Sequence, residues 1–292
     1  MTENTLPTTI IIAGQPRSFI DLYNDFAASS YGQKLVGKVR FYRFKPASVE
    51  VDTWRSLLGV DVDNLRHEKL SIGIARQFVR HCHAPDPRYW QGSVCQDATF
   101  SQSEQAILFV TAAKHDEPEA ILSDISFDQK TDEDHQAEMI VMRQMLAESL
   151  GDENVARQIL EIVNDKDGET KLGRAFNAIE RIGYLRTGLT AWRHACLADN
   201  AILQRGLEGL TNNVLINQTE TLLRYADIYP AVRTFLTVNA DRATDAFQSL
   251  DIDRTSFELY DVEKSKPKRA EMEKSFTSAY TLWTQSNFFN DL

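Results

Sequence analysis

One short stretch of the chain places a histidine beside several carboxylates at spacings that suit a metal site. His115 and Asp116 are adjacent, Glu119 lies four positions after His115, and Asp124 lies nine positions after it. Another histidine, His67, opens an apolar-periodic segment upstream. Two imidazoles and a carboxylate, with positions left for water, suit Mn, Fe, Co or Zn. Because such an ion activates water, the residues predict a hydrolytic metal site.

Helical geometry suggests a role for each of these side chains. On a helix, His115 and Glu119 would share a face because they are one turn apart. Asp116, turned by about 100° from His115, can still reach an ion lodged between helices. In this interpretation Glu119 is a candidate general acid/base, and Asp124 positions substrate or water. The alternative for Glu119 and Asp124 is a solvated helix face that ends in a turn.

The elements that must position these residues are predicted to be mainly helical. The N-terminal part is expected to be a small α/β layer, with a strand over 7–13, a helix over 18–28 and a strand or hairpin over 38–51. Apolar spacing predicts helices over 64–84, 103–114, 115–123, 133–150, 154–163 and 170–185, then a mainly helical remainder broken at Pro230 and at a linker over 264–268, with a final helix over 271–288.

The composition excludes several classes of protein. The chain has 292 residues, of which 42% are hydrophobic and 25% charged, as in ordinary globular proteins. Its net charge of -10 argues against a broad nucleic-acid or anionic-membrane surface. Three cysteines do not make a disulfide framework. Without a signal-like segment or a long apolar run, we expect a cytoplasmic protein that does not enter membranes.

The order of these motifs resembles the HD-domain phosphohydrolases, and most closely their 5'-deoxynucleotidase-like branch. The family motif, His-Asp-x-x-Glu-x-x-x-Gly-Asp, is similar to the segment from His115 to Asp124. His67 falls where the first family histidine opens a helix. Asn177 falls where the family carries its last metal ligand, an aspartate. The resemblance covers about residues 60 to 190.

The resemblance implies a fold, an activity and a site. It implies an HD-type helical core over 59–190, between an N-terminal α/β segment over 1–58 and a C-terminal helical extension over 191–292. It implies metal-dependent hydrolysis of a nucleotide 5'-monophosphate or similar small phosphomonoester. A divalent ion (Mn, Co, Fe, Mg or Zn) would be held by His67, His115, Asp116 and Asn177. Since an amide carries no charge, Asn177 predicts weakened metal binding.

Two other functions stay open at this point. One is a catalytically impaired HD-fold protein that binds a nucleotide or a protein partner. The other is a structural helical protein without a small-molecule site. The C-terminal aromatic residues, from Phe276 to Phe289, are expected in the core or at the face of a homodimer.

Overall fold

The computed structural model describes residues 6–58, 63–122, 131–250 and 262–288, and over these residues the chain is mainly helical. This confirms the mainly α class, while the HD-type arrangement stays a prediction. The strands are β1 (Thr9–Ile12) and β2 (Gln15–Ser18), and the α-helices are α1 (Phe19–Ala28), α2 (Gly32–Leu35), α3 (Val51–Leu57), α4 (Asn64–His83), α5 (Gln102–Lys114), α6 (Asp132–Leu150), α7 (Glu153–Asn164), α8 (Lys171–Leu197), α9 (Ala201–Ala226), α10 (Pro230–Val238), α11 (Ala240–Ser249) and α12 (Val262–Phe288). Short 3₁₀ helices span Tyr42–Phe44, Gln96–Ala98 and Glu117–Ala120.

The chain divides by contact into two compact units, each assembled from separated stretches. The first comprises residues 1–40, 60–80 and 99–180, and the second comprises 41–59, 81–98 and 181–292. These units interleave along the sequence, whereas the segments 1–58, 59–190 and 191–292 are consecutive. That consecutive division stays a prediction.

The first unit begins with a tight antiparallel hairpin. Strands β1 and β2 pair with Ile12 opposite Gln15. Ala13 and Gly14 between them both have positive φ, 48° and 76°, as a two-residue hairpin turn requires. The backbone N–H of Ala13 donates to a carboxylate oxygen of Asp152, 2.8 Å away, which ties the turn to the start of α7.

Helix α5 is the centre of the first unit and carries His115 at its end. The serine at its N-cap, Ser101, forms a reciprocal capping box with Glu104, which satisfies backbone N–H groups that the first turn leaves free. Every residue from Gln105 to Lys114 is buried. Helix α5 packs against α1, β1 and α7, and Phe109 meets Phe19 edge to face with centroids 5.5 Å apart. Because α5 is buried on all sides, the backbone position of His115 at its end is fixed by packing.

Two predicted elements are wrong. Residues 38–51 form no strand or hairpin; they hold one isolated bridge, Val39 to Asp63, and the 3₁₀ turn Tyr42–Phe44. Phe41 has a left-handed φ of 56°, which interrupts an extended backbone.

The predicted linker over 264–268 lies inside α12, where Ser265 and Arg269 are buried. Packing of α12 against α9 outweighs the unfavourable proline, Pro267, inside the helix.

The second unit is built around α9, which packs against α10 and α12. Helix α9 also approaches α8 closely. A Cβ on Gly188 of α8 would lie 2.8 Å from the Val214 side chain of α9, so a larger residue at position 188 would force the helices to shift. The Thr211 hydroxyl donates to the Gly188 carbonyl across the same contact, at 3.1 Å. Among the described helices, none combines the length and the apolar character of a membrane span.

Candidate metal centre

His67 lies in the first turn of α4, where the backbone fixes its direction. The carboxylate of Asp63 accepts a hydrogen bond from the Arg66 N–H at 2.9 Å, and the Asp63 carbonyl accepts one from the His67 N–H at 2.9 Å. The His67 side chain is 1% exposed, and its Nε2 lies 3.3 Å from the Ser71 hydroxyl, one turn further along. The orientation of the His67 imidazole is therefore fixed by Ser71, which lies on the same helix, α4.

His115 is the C-cap of α5, and the helix does not continue through Glu119 as the sequence suggested. The backbone N–H of His115 still bonds the Thr111 carbonyl at 3.0 Å, but Asp116 adopts φ -99° and ψ 0°, and the chain then forms the 3₁₀ turn Glu117–Ala120. Pro118 favours this break because it cannot donate a backbone hydrogen bond. Helix α6 and α2 pack against the turn, which places Asp116 beside His115.

The structure brings His67, His115 and Asp116 together. Each offers one ligand atom within 4.8 Å of the others. Nε2 of His67 lies 3.5 Å from Oδ2 of Asp116, and Nε2 of His115 lies 3.3 Å from Oδ1. Two ligands that are each about 2.1 Å from one ion lie roughly 3.0–3.4 Å apart, for angles between right and tetrahedral. The His115–Asp116 distance falls in this range, and the His67–Asp116 distance, to the other carboxylate oxygen, is slightly longer, so the three side chains could hold a metal ion.

Helix α8 adds a carboxylate that sequence reasoning missed. Oε1 of Glu180 lies 3.2 Å from Nε2 of His115. One turn earlier, the Phe176 ring contacts the imidazole edge to face, with centroids 5.3 Å apart. A signal for Glu180 was present in the sequence, since it falls between the apolar residues Ile179 and Ile182 on the helix that carries Asn177.

Asn177, predicted as the last ligand, is engaged elsewhere. Its amide nitrogen donates to the Lys166 carbonyl at 2.6 Å, in the loop before α8. Asn177 and Glu180 lie on the same helix, α8, and of the two it is Glu180 that contacts His115.

The tautomer of His115 can be inferred from its surroundings. Nδ1 lies 3.2 Å from the Ala112 carbonyl, an acceptor, so Nδ1 carries a proton. In neutral His115 the Nε2 lone pair would then point at carboxylate oxygens of Asp116 and Glu180, 3.3 and 3.2 Å away. Burial lowers the pKa of His115, but the negative charges of Asp116 and Glu180 outweigh it and raise the pKa to about 9. The site favours positive charge at Nε2.

Two basic side chains from the segment before α3 adjoin the cluster. Nη1 of Arg40, a residue only 6% exposed, lies 3.7 Å from Oδ2 of Asp116. Nζ of Lys38 donates to the carbonyls of Glu119 and Leu122, at 2.5 and 3.3 Å. The alternation of basic and apolar residues in this segment was visible in the sequence, but it was attributed to a strand.

Glu68, next to His67, is a second carboxylate that the sequence did not single out. It is fully buried, and within the described ranges neither of its carboxylate oxygens has a hydrogen-bond partner. Burial raises its pKa well above the ordinary value, and the negative charges of Glu117, Asp116 and Glu119 raise it further, while Lys114 acts the other way. The cluster therefore sits among more buried acids than bases.

The two predicted catalytic residues have different outcomes. Glu119 lies in the 3₁₀ turn directly after the cluster and is half-buried. Its carboxylate is near enough to influence Glu68. Asp124 lies outside the described residues, so its predicted role stays a prediction.

Comparison with known proteins identifies no relative: no protein-family model, no curated protein and no solved structure matches the chain.

Proposed function

We propose that the chain is a metal-dependent hydrolase of small phosphomonoesters, with one divalent ion held by His67, His115 and Asp116. Glu180 is the fourth protein group facing the ion. The donor set, two imidazoles with carboxylates, suits Mn, Fe, Co or Zn rather than Ca or Mg. The substrate class, a nucleotide 5'-monophosphate or a similar compound, rests on the order of motifs that resembles the HD-domain phosphohydrolases.

One observation carries the metal proposal. Nε2 of His115 is buried and faces carboxylate oxygens of Glu180 and Asp116 at 3.2 and 3.3 Å. A buried lone pair that faces anionic oxygens is costly unless a cation lies between them. A divalent ion would lie between these groups, and Nε2 of His67, 3.5 Å from Oδ2 of Asp116, would be a further ligand.

The roles of the surrounding side chains follow from their charge and position. A bound ion of this class lowers the pKa of a coordinated water and screens phosphate charge. Arg40 offers a guanidinium beside Asp116, where it can pair with phosphate oxygens. Glu119, in the adjoining turn, is proposed to take and return the proton of the attacking water. Asp124 retains its proposed role of orienting water or sugar.

Glu180 removes the difficulty that Asn177 raised. An amide at the last ligand position predicts weak binding because it brings no charge. The Glu180 carboxylate supplies that charge from the same helix, 3.2 Å from Nε2 of His115. We therefore propose that the site is a variant of the family arrangement with the acidic ligand moved by three residues.

The raised pKa of His115 favours one rival. A proton on Nε2 would also satisfy the two carboxylates, and its pKa of about 9 keeps that proton at neutral pH when no metal is supplied. In that case the chain is a catalytically impaired HD-fold protein that binds a nucleotide or a protein partner.

The experiment that separates the two functions is a phosphate-release screen. Purified chain, supplied with Mn or Co, is incubated with nucleoside 5'-monophosphates and their deoxy forms, and inorganic phosphate is measured. Hydrolysis that is lost in Asp116→Ala and retained in Glu161→Gln, a surface change away from the cluster, supports the proposal. Binding of a nucleotide without phosphate release by any metal-loaded form favours the rival.

A further inference from the structure

A cavity lies against the residues that flank His115 and Asp116 in the sequence. Its volume is about 270 Å³. Lys114 and Glu117, the residues that flank the two metal-ligand candidates, line this cavity, and neither His115 nor Asp116 does. The cavity is therefore distinct from the proposed metal centre, and nothing in the proposed hydrolysis uses it.

The inner end of the cavity is a buried ion pair. Lys114 and Glu117 are 2% and 1% exposed, and Nζ of Lys114 donates to Oε1 of Glu117 at 2.5 Å. The Lys114 ammonium also lies 5.4 Å from the centre of the Phe26 ring. Within the described part of the chain, Oε2 of Glu117 accepts no hydrogen bond. It is an acceptor left for an incoming donor. Burial raises the pKa of Glu117 to about 7, although Lys114 acts the other way, so an incoming cation would favour the ionised form.

The walls and the rim define the chemistry of a fitting ligand. Leu22, Phe26 and Met145 are buried and apolar, and Tyr31 adds a second aromatic ring. At the rim, Arg17 and Asp25 pair at 2.6 Å and so neutralise one another. The remaining rim charge, Glu148, is negative and exposed. With Lys114 paired to Glu117, the cavity carries one net negative charge.

We propose that this cavity binds a small organic ammonium ion, a primary amine carried on a short apolar or aromatic body. The ammonium would donate to Oε2 of Glu117 without breaking the Glu117–Lys114 pair, and it would be attracted by Glu148. The body would lie against Phe26, Leu22 and Met145. An anionic ligand is disfavoured because it would meet Glu117 and Glu148, and because separating Lys114 from Glu117 would leave a buried charge unpaired.

The test is calorimetric titration of the full chain with 2-phenylethylamine, beside two compounds of the same shape, neutral 2-phenylethanol and anionic 3-phenylpropionate. The amine should bind in the millimolar range or tighter, and about tenfold or more tightly than the alcohol, as one added charge interaction predicts. 3-Phenylpropionate should bind more weakly than the alcohol.

Exposed variants locate the site without disturbing the fold. Glu148→Lys, which reverses the rim charge, should weaken amine binding several-fold, and Ser149→Trp, which covers the rim, should abolish it. Glu161→Lys makes the same change of net charge at an exposed position that does not line the cavity, and it should bind as the wild type does. Equal binding of amine and alcohol, equal weakening by Glu161→Lys, or no amine binding to the wild type up to about 10 mM would overturn the proposal.

Discussion

Oε1 of Glu180, on α8, lies 3.2 Å from Nε2 of His115, at the end of α5, although the two residues are 65 positions apart in the sequence. The contact places a carboxylate from a third helix against the residue pair that first drew attention in the sequence. Because Nδ1 of His115 donates to the Ala112 carbonyl, Nε2 is the nitrogen available to a metal ion or a proton between His115 and Glu180.

We propose Glu180, and not Asn177, as the last acidic ligand, and paired substitutions test this. Glu180→Gln keeps the shape but removes the charge, so affinity for Mn or Co should fall about 10–100-fold. Asn177→Ala should change affinity by less than about threefold, because its amide bonds the Lys166 carbonyl. Titration calorimetry of both variants measures the difference. A larger loss in Asn177→Ala than in Glu180→Gln would restore the family assignment.

The residue types at the site were predictable from the sequence, but their final arrangement was not. His67, His115 and Asp116 follow from donor chemistry and order alone, and the structure places their ligand atoms within 4.8 Å. The position of Glu180 depends on how α8 is rotated about its axis, and the Phe176 ring, one turn earlier, contacts the His115 ring from the same helix. Likewise, the end of α5 at His115 depends on Pro118 and on packing by α6, so Glu119 is not on the helical face that its spacing suggested.

Long helices were predicted better than short or irregular elements. Helices α5, α6 and α7 begin and end close to their predicted bounds because caps such as Ser101 and Gly151 mark them in the sequence. The stretch over 38–51 was misjudged because alternation alone does not reveal the left-handed Phe41. Helix α8 extends to Leu197, beyond its predicted end, because Leu189 and Trp192 are buried.

Glu119 is expected to act on protons without holding the ion. Glu119→Ala should lower phosphate release by about 10²–10⁴-fold while metal content and melting temperature stay near those of the wild type. Metal analysis, thermal melting and the phosphate assay on the same preparation check this. Loss of metal together with activity would instead make Glu119 a ligand, and unchanged activity would remove it from the mechanism.

The buried pair of Lys114 and Glu117 should be strongly coupled in stability. Removal of one partner leaves an uncompensated buried charge, so Lys114→Met and Glu117→Leu should each lower the free energy of unfolding by about 3–5 kcal/mol. The double variant should be less destabilised than the sum of the two single changes, because no buried charge is left unpaired. Urea unfolding of the four proteins measures the coupling. Additive effects would show that the two charges do not depend on each other.

The three cysteines should differ in reactivity, and the difference reports on the packing of the second unit. Burial raises the pKa of Cys82 to about 12, despite a hydrogen bond from the Ala231 backbone that lowers it. Since the thiolate is the reactive form, Cys82 should resist alkylation from neutral pH to about pH 10, whereas exposed Cys95 should react. Iodoacetamide labelling followed by mass spectrometry, with a urea-unfolded control, checks this. Rapid labelling of Cys82 in the folded chain would contradict its buried position.

The most direct test of the central claim is cobalt binding followed by absorption spectroscopy. Metal-free chain is titrated with Co²⁺, and the visible d–d bands and the bound stoichiometry are measured for the wild type, His115→Ala, Asp116→Asn and the surface control Glu161→Gln. The account predicts one Co²⁺ bound per chain with nitrogen and oxygen ligands, lost in His115→Ala and Asp116→Asn and retained in the control. No saturable cobalt spectrum in the wild type, or an unchanged spectrum in both cluster variants, would contradict the claim that His67, His115 and Asp116 form a metal centre.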